Sequence, residues 1–306
     1  MLRASKKSGR RAGFFVICYN RGMPELPEVE TIRRGLTKFL SGFKITKIKI
    51  LCDKSFIGPK EIATGQKIQA IHRRGKALLI DLENGITLMV HLRMTGQLIF
   101  RGDENFAGGH PTDSFVNELP DNQTRVIIEL ENGTLFFNDQ RKFGFIKVLE
   151  TAEVATDTFI KSLAKEPWDI TVAEFKENLM HHKSAPIKAT ILDQKVIAGV
   201  GNIYADEALY YAKLHPKNAT GMLEDAQIEK LLEGIRNVMQ ASIDSGGSTM
   251  QTYVKADGTK GDYLRLFAKV FRREGEPCER CGTEIVKTRV AGRGTHICPN
   301  CQKEER

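Results

Sequence analysis

Met23-Pro24-Glu25-Leu26-Pro27-Glu28-Val29-Glu30-Thr31 is the stretch from which the fold can be read outward. Pro27 stands where a first helical turn tolerates proline, and Glu28 and Glu30 suit the positive end of a helix. Beyond them Val29, Ile32, Leu36, Phe39 and Leu40 share one face, while Arg33, Arg34 and Lys38 fall elsewhere. Residues 28–40 are therefore expected to form an amphipathic helix. Downstream the pattern changes to short apolar runs at 45–51, 77–82, 87–92, 126–130, 134–137 and 145–149. Asn84-Gly85 and Asn132-Gly133 separate two pairs of these runs, which is a hairpin signal. This half reads as a β-sandwich. From 156 to 245 the period becomes helical, with candidates at 173–182, 185–193, 203–212 and 224–244. Ser245-Gly246-Gly247-Ser248 breaks the pattern, and the polar stretch to Gly261 reads as a loop. The fold class is α+β.

Four of the six cysteines stand as Cys278-x2-Cys281 and Cys298-x2-Cys301. Each pair can offer two thiolates to one metal, and this spacing favours zinc over two disulfides. Four thiolates leave no open position for water, so such a zinc is structural. The 306 residues are 41% hydrophobic with 16 Phe, enough for two cored domains and a small appendage. The net charge of +8 points first to a polyanionic partner, because Lys and Arg displace counterions from phosphates. No apolar run approaches the roughly 18 residues of a membrane span. Residues 1–22 are basic, with Arg3, Lys6, Lys7, Arg10 and Arg11, and carry one short apolar run at 14–19. That run is too short for a signal-peptide core, and a translation start at Met23 is the preferred reading.

The opening stretch resembles the N-terminus of the formamidopyrimidine-DNA glycosylases. In that family the initiator methionine is removed and the proline nitrogen is the nucleophile. The resemblance thus makes Pro24 an amine that attacks C1′ of a damaged nucleotide and collapses to an iminium. Such catalysis needs the neutral amine, and an α-amino group titrates near 8. Glu25 beside it suits proton transfer during base loss and ring opening. A proline inside a peptide bond has no nucleophilic amine, so residues 1–22 are expected to be absent from the mature protein.

Other segments resemble the same family. Arg74-Gly75-Lys76 carries Lys76, implied to contact the lesion phosphate and assist catalysis. His91-Leu92-Arg93-Met94-Thr95-Gly96 and Asp139-Gln140-Arg141-Lys142-Phe143-Gly144 carry Met94, Arg141 and Phe143. The resemblance makes these three fill the gap left by an extruded base, with Arg141 on the orphaned cytosine. Gly199-Val200-Gly201-Asn202-Ile203-Tyr204-Ala205-Asp206-Glu207 resembles the turn of the helix–two-turn–helix module, with Asn202 on a phosphate. A nucleotide-binding loop is the rival, but no strand precedes this turn. Lys188 corresponds to a lysine near the lesion. Tyr263 corresponds to a tyrosine that holds the backbone. Arg293, between the CxxC pairs, corresponds to an arginine that grips the phosphates flanking the lesion from a zinc-bound β-hairpin.

Two segments depart from the family pattern. Asn122-Gln123-Thr124-Arg125 stands where a Lys-His-x-His segment is usual, with Arg125 as the substitute contact. Ala164-Lys165-Glu166-Pro167-Trp168 replaces Gly-Pro-Glu-Pro-Leu. The resemblance covers about 23–302 and implies a catalytic sandwich at 23–150, a helical domain at 151–262 and the zinc hairpin at 263–306. It implies a monomer that removes oxidised purines from double-stranded DNA in a bacterial cytoplasm, at the nucleoid, without redox cofactor or catalytic metal. Leu26 and the Arg141–Phe143 pair favour this over the related endonuclease VIII type, which prefers oxidised pyrimidines. Pro24, Glu25 and Lys76 argue against a non-catalytic zinc-finger DNA-binding protein.

Overall fold

A computed structural model describes residues 14–18, 23–110, 112–247 and 267–305. Elements follow in chain order. A short strand β1 (Phe14–Cys18) precedes helix α1 (Leu26–Leu40). Ten strands follow: β2 (Ile45–Ile50), β3 (Phe56–Ile57), β4 (Ile68–Arg74), β5 (Ala77–Leu82), β6 (Ile86–His91), β7 (Gly96–Gly102), β8 (Asn105–Gly109), β9 (Thr124–Leu130), β10 (Gly133–Asp139) and β11 (Phe145–Glu150). The helical part holds α2 (Thr158–Lys161), α3 (Val172–Met180), α4 (Ile187–Ile191), α5 (Asn202–Ala212) and α6 (Asp225–Asp244). The hairpin β12 (Val286–Val290) and β13 (Arg293–Ile297) closes the described chain.

The strands form two sheets, in the orders β1-β8-β7-β10-β9-β2 and β3-β11-β6-β5-β4. Both expected hairpins are present: β5 pairs antiparallel with β6 across Asn84-Gly85, and β9 with β10 across Asn132-Gly133. One core lies between the sheets and takes the apolar face of α1, with Val29, Ile32, Leu36, Phe39 and Leu40 buried. The sandwich reading therefore holds, but β3, β4, β7 and β8 escaped it. β8 holds two glycines and no alternation, and β4 ends in His72-Arg73-Arg74. β1 pairs in parallel with β8.

α1 begins two residues earlier than its periodicity suggests. The Glu25 N–H donates to Glu28 Oε2 at 2.9 Å, which caps the first turn from inside it. A second core joins α3, α4, α5 and α6 and includes Leu26 from the start of α1. The first helix thus belongs to both cores. No helix among the described residues is long and apolar enough to cross a membrane.

Candidate active site and nucleic-acid interface

The site lies where α1 starts, against the loop before α5. Leu26 N–H donates to Gly199 O at 3.2 Å, and Ile203 N–H donates to Glu25 Oε1 at 3.0 Å. The two glycines of that loop permit the approach. A Cβ on Gly201 would fall 2.1 Å from Glu25 Cδ, and one on Gly199 would fall 2.2 Å from the Leu26 side chain. Lys76, carried by the β4–β5 turn, donates from Nζ to Val200 O at 2.9 Å. Pro24, Glu25 and Lys76 are all buried. Burial pushes the Glu25 carboxyl up to about 8, although the nearby Lys76 opposes it. Burial likewise lowers the Lys76 ammonium, against the pull of Glu25. A carboxyl whose proton burial holds therefore lies near an ammonium whose proton burial loosens.

A set of buried and partly buried contacts, none of them evident from the sequence, stabilises this arrangement. Glu28 Oε1 accepts from Tyr204 OH at 2.6 Å, and Tyr204 OH lies 2.6 Å from Ser242 Oγ. Glu166 accepts from Gly75 N–H at 2.7 Å and takes both Arg73 Nη atoms at 2.7 and 2.9 Å, fixing the turn that aims Lys76. Arg73 also reaches Glu30 at 3.3 Å. The departure at 164–168 thus keeps the one carboxylate that this turn needs. Glu28 is legible in the sequence only as an acid suited to a helix start, and Tyr204 only as part of the 199–207 turn.

Met94, Arg141 and Phe143 sit on two adjacent loops of the sandwich. Buried Asp139 builds them: its Oδ1 accepts from Arg141 N–H at 3.1 Å, and its Oδ2 from Phe143 and Gly144 N–H at 2.8 and 2.7 Å. Thr95 donates its hydroxyl to Asp139 and accepts from Arg141 N–H at 3.0 Å, tying the loops together. Phe143 is 55% exposed, which suits a wedge better than a core residue. The Arg141 guanidinium lies 4.8 Å from the centre of its ring. Met94 is half-buried. His91 accepts Arg93 N–H at Nδ1 at 3.0 Å, and burial holds the ring down at about 3, hence neutral. Arg125 donates from Nε to Asp139 O at 2.8 Å and from Nη1 to Asn122 O at 3.0 Å, so these donors serve the loop.

The cysteine hairpin closes the far side. Exposed Arg293 stands at its tip, and its charge is felt at both Lys76 and Lys188. Asn202 donates from Nδ2 to Gly294 O at 3.0 Å, so this group holds the hairpin. Buried Lys188 also points to the hairpin. Glu207 accepts the N–H groups of Lys269, Val270 and Phe271 at 2.8, 3.0 and 2.7 Å, anchoring the lead-in to the cysteines. Tyr263 lies outside the described residues.

The Sγ atoms of Cys278, Cys281, Cys298 and Cys301 all lie within 4.8 Å of one another, and three of the pairs are 3.5, 3.5 and 3.9 Å apart. A tetrahedron with zinc–sulfur bonds of about 2.3 Å has edges of about 3.8 Å, so the set fits that metal. A disulfide would need about 2.05 Å.

Three family models match the chain in order: the formamidopyrimidine-DNA glycosylase N-terminal domain at 23–146, its H2TH domain at 163–254, and a zinc finger found in FPG and IleRS at 275–303. The formamidopyrimidine-DNA glycosylase of Pelotomaculum thermopropionicum is 42% identical over 288 residues, covering 92% of this chain and 99% of the relative. That of Listeria innocua is 39% identical over 289 residues, covering 92% and 100%. Among solved structures, a mutant of the Lactococcus lactis enzyme in complex with Fapy-dG-containing DNA is 35% identical, with a TM-score of 0.79 and coverage of 92% and 100%. The same enzyme bound to DNA with an AP site gives 33% and 0.78. Sandwich, helical module and cysteine hairpin in this order make the architecture of a base-excision DNA glycosylase. The chain belongs to the formamidopyrimidine-DNA glycosylase family.

Proposed function

We propose that this glycosylase removes oxidised purines, 8-oxoguanine or a formamidopyrimidine, from double-stranded DNA and then opens the strand, acting as a monomer in the bacterial cytoplasm. The observation that carries the reading is the buried Glu25–Lys76 pair beside Pro24. The damaged nucleotide leaves the stack at a cost of about a few kcal/mol. Met94, Arg141 and Phe143 fill the gap and offset part of that cost. Pro24 nitrogen, as a free amine, forms a bond to C1′ while the glycosidic bond breaks, and Glu25 gives its proton to the departing base. The attached nitrogen gives up its proton, the C1′–O4′ bond breaks with O4′ taking a proton, and the opened sugar is left as an iminium, which permits loss of the C2′ proton and expulsion of the 3′ phosphate. A second elimination expels the 5′ phosphate and leaves a one-nucleoside gap. Lys76, Asn202, Tyr263 and Arg293 are the proposed partners of the backbone. Cys278, Cys281, Cys298 and Cys301 would hold one structural zinc, which staples the hairpin and takes no part in bond breaking.

Borohydride trapping tests the core of this reading. Protein beginning at Pro24, mixed with an 8-oxoguanine duplex and borohydride, is expected to give a covalent adduct, because only an iminium is reduced to a stable link. Absence of adduct from protein that binds the duplex would leave a binding module without this chemistry.

Two further outcomes follow. Glu25 must hold its proton, so the excision rate is present below its pKa and falls as pH rises through about 8. The Pro24 amine must be neutral, so the rate rises with pH through the α-amino range near 8. The kcat/KM profile should be a narrow bell, and Glu25→Gln should abolish most base excision. A flat profile between about pH 6 and 9 would remove Glu25 from this role. Activity should also be higher opposite cytosine than opposite adenine, and Arg141→Ala should flatten that preference. An unchanged ratio in the variant would show that another group reads the orphaned base.

A further inference from the structure

We infer that Asp206 is a positioning residue for the DNA grip: with Lys188 it forms a buried clamp that fixes the Arg293 hairpin against the start of α5. This rests on the reading that Arg293 holds phosphate. The two side chains are 1% and 0% exposed, and Lys188 Nζ lies 2.6 Å from Asp206 Oδ1. Lys188 Nζ also donates to Gly294 O at 3.0 Å and to Thr295 Oγ1 at 2.8 Å. The buried ammonium thus has Asp206 as its counter-charge and gives two hydrogen bonds to the residues that follow Arg293. Asp206 completes the clamp from the other side, accepting His296 N–H at Oδ2 at 3.0 Å. Asn202, four residues before Asp206, takes the Gly294 carbonyl as well, at 3.0 Å. Three consecutive residues of β13 are therefore bound to one face of α5 and the first turn of α4, and Arg293 is the exposed residue just before them. Removing one partner leaves a buried charge without its counter-charge, so the hairpin must shift.

Charge alone makes the opposite forecast. Deleting a carboxylate from a protein that binds phosphates should tighten binding, since repulsion is removed. The clamp forecasts weakening. The test uses zinc-loaded full chain and a duplex with a tetrahydrofuran abasic analogue. Asp206→Asn should bind about tenfold more weakly, and the slope of log K against log salt should shrink by about one, the share of one lost phosphate contact. Arg293→Ala should do the same, and the double variant should be no weaker than Arg293→Ala alone. Zinc content should stay at one per chain in each. If Asp206→Asn is poorly folded, Lys188→Met/Asp206→Leu removes the pair without stranding a charge, and the same weakening is expected. Unchanged or tighter binding by folded Asp206→Asn, or losses that add to those of Arg293→Ala, would overturn the clamp. If Arg293→Ala itself binds like the parent, the phosphate grip fails and the clamp falls with it. If only Arg293→Ala weakens binding, the clamp alone is wrong.

Discussion

A preparation that keeps residues 1–23 is expected to bind DNA but to yield no borohydride-trapped adduct, and trimming to Pro24 is expected to restore trapping. The reason is bonding. An amide nitrogen has its lone pair in the peptide bond and cannot form an iminium with the sugar. Binding should survive because the extension alters none of the side chains proposed to hold the backbone, Arg293 among them. The loss should be total rather than graded, since no conformational change gives an acylated proline a free pair. Pro24→Gly in the trimmed protein should keep some activity, because glycine still offers a primary amine. Gel analysis of the trapped complex and mass spectrometry of the N-terminus decide the matter together. Full-rate cleavage by untrimmed, unprocessed protein would mean that another amine does the work. Lys76 is then the first to test, since burial already lowers its ammonium.

The second large effect concerns the cysteines. Cys281→Ser should lower zinc content and DNA affinity together, the latter by at least about tenfold. A two-stranded ribbon is marginal by itself in water. Here β12 and β13 rest on a small cluster of Tyr210, Val270, Cys278, Ile285 and Cys298, so the metal must supply much of what a core supplies elsewhere. Loosening it frees the strand that carries Arg293. Metal analysis beside a binding titration reads both quantities. Zinc-free protein with full DNA affinity would show that the hairpin needs no staple.

Local patterns were legible where one residue type has one strong reason to be there. The apolar face of α1, the two Asn-Gly hairpins and the paired cysteines are of that kind. β8 was not legible, because Asn105-Phe106-Ala107-Gly108-Gly109 is a strand only through its neighbours. Asp139 was quoted as part of a motif, but nothing local says that its carboxylate gathers the backbone N–H groups of Arg141, Phe143 and Gly144. Lys188 is buried against Asp206 and the hairpin. Its direction is set by Asp206 and Thr295, and no spacing rule encodes which way a buried ammonium turns. Glu166 lay in a stretch read only as a departure. Its partner is 93 residues away, beyond the reach of any periodicity.

The contact between Ile203 N–H and Glu25 spans 178 positions of the chain. Contacts of such sequence separation are entropically late in folding, because the loop between them must first be closed. They also lie at the boundary of two cores, each of which has its own interior to hold it together. The joint that places Glu25 is therefore expected to form late and to open before either core. Chemistry should consequently be more fragile than architecture. On gentle warming, glycosylase turnover is expected to fade before the far-ultraviolet dichroism of either half changes. Coincident loss of both signals would mean that the halves melt as one cooperative body.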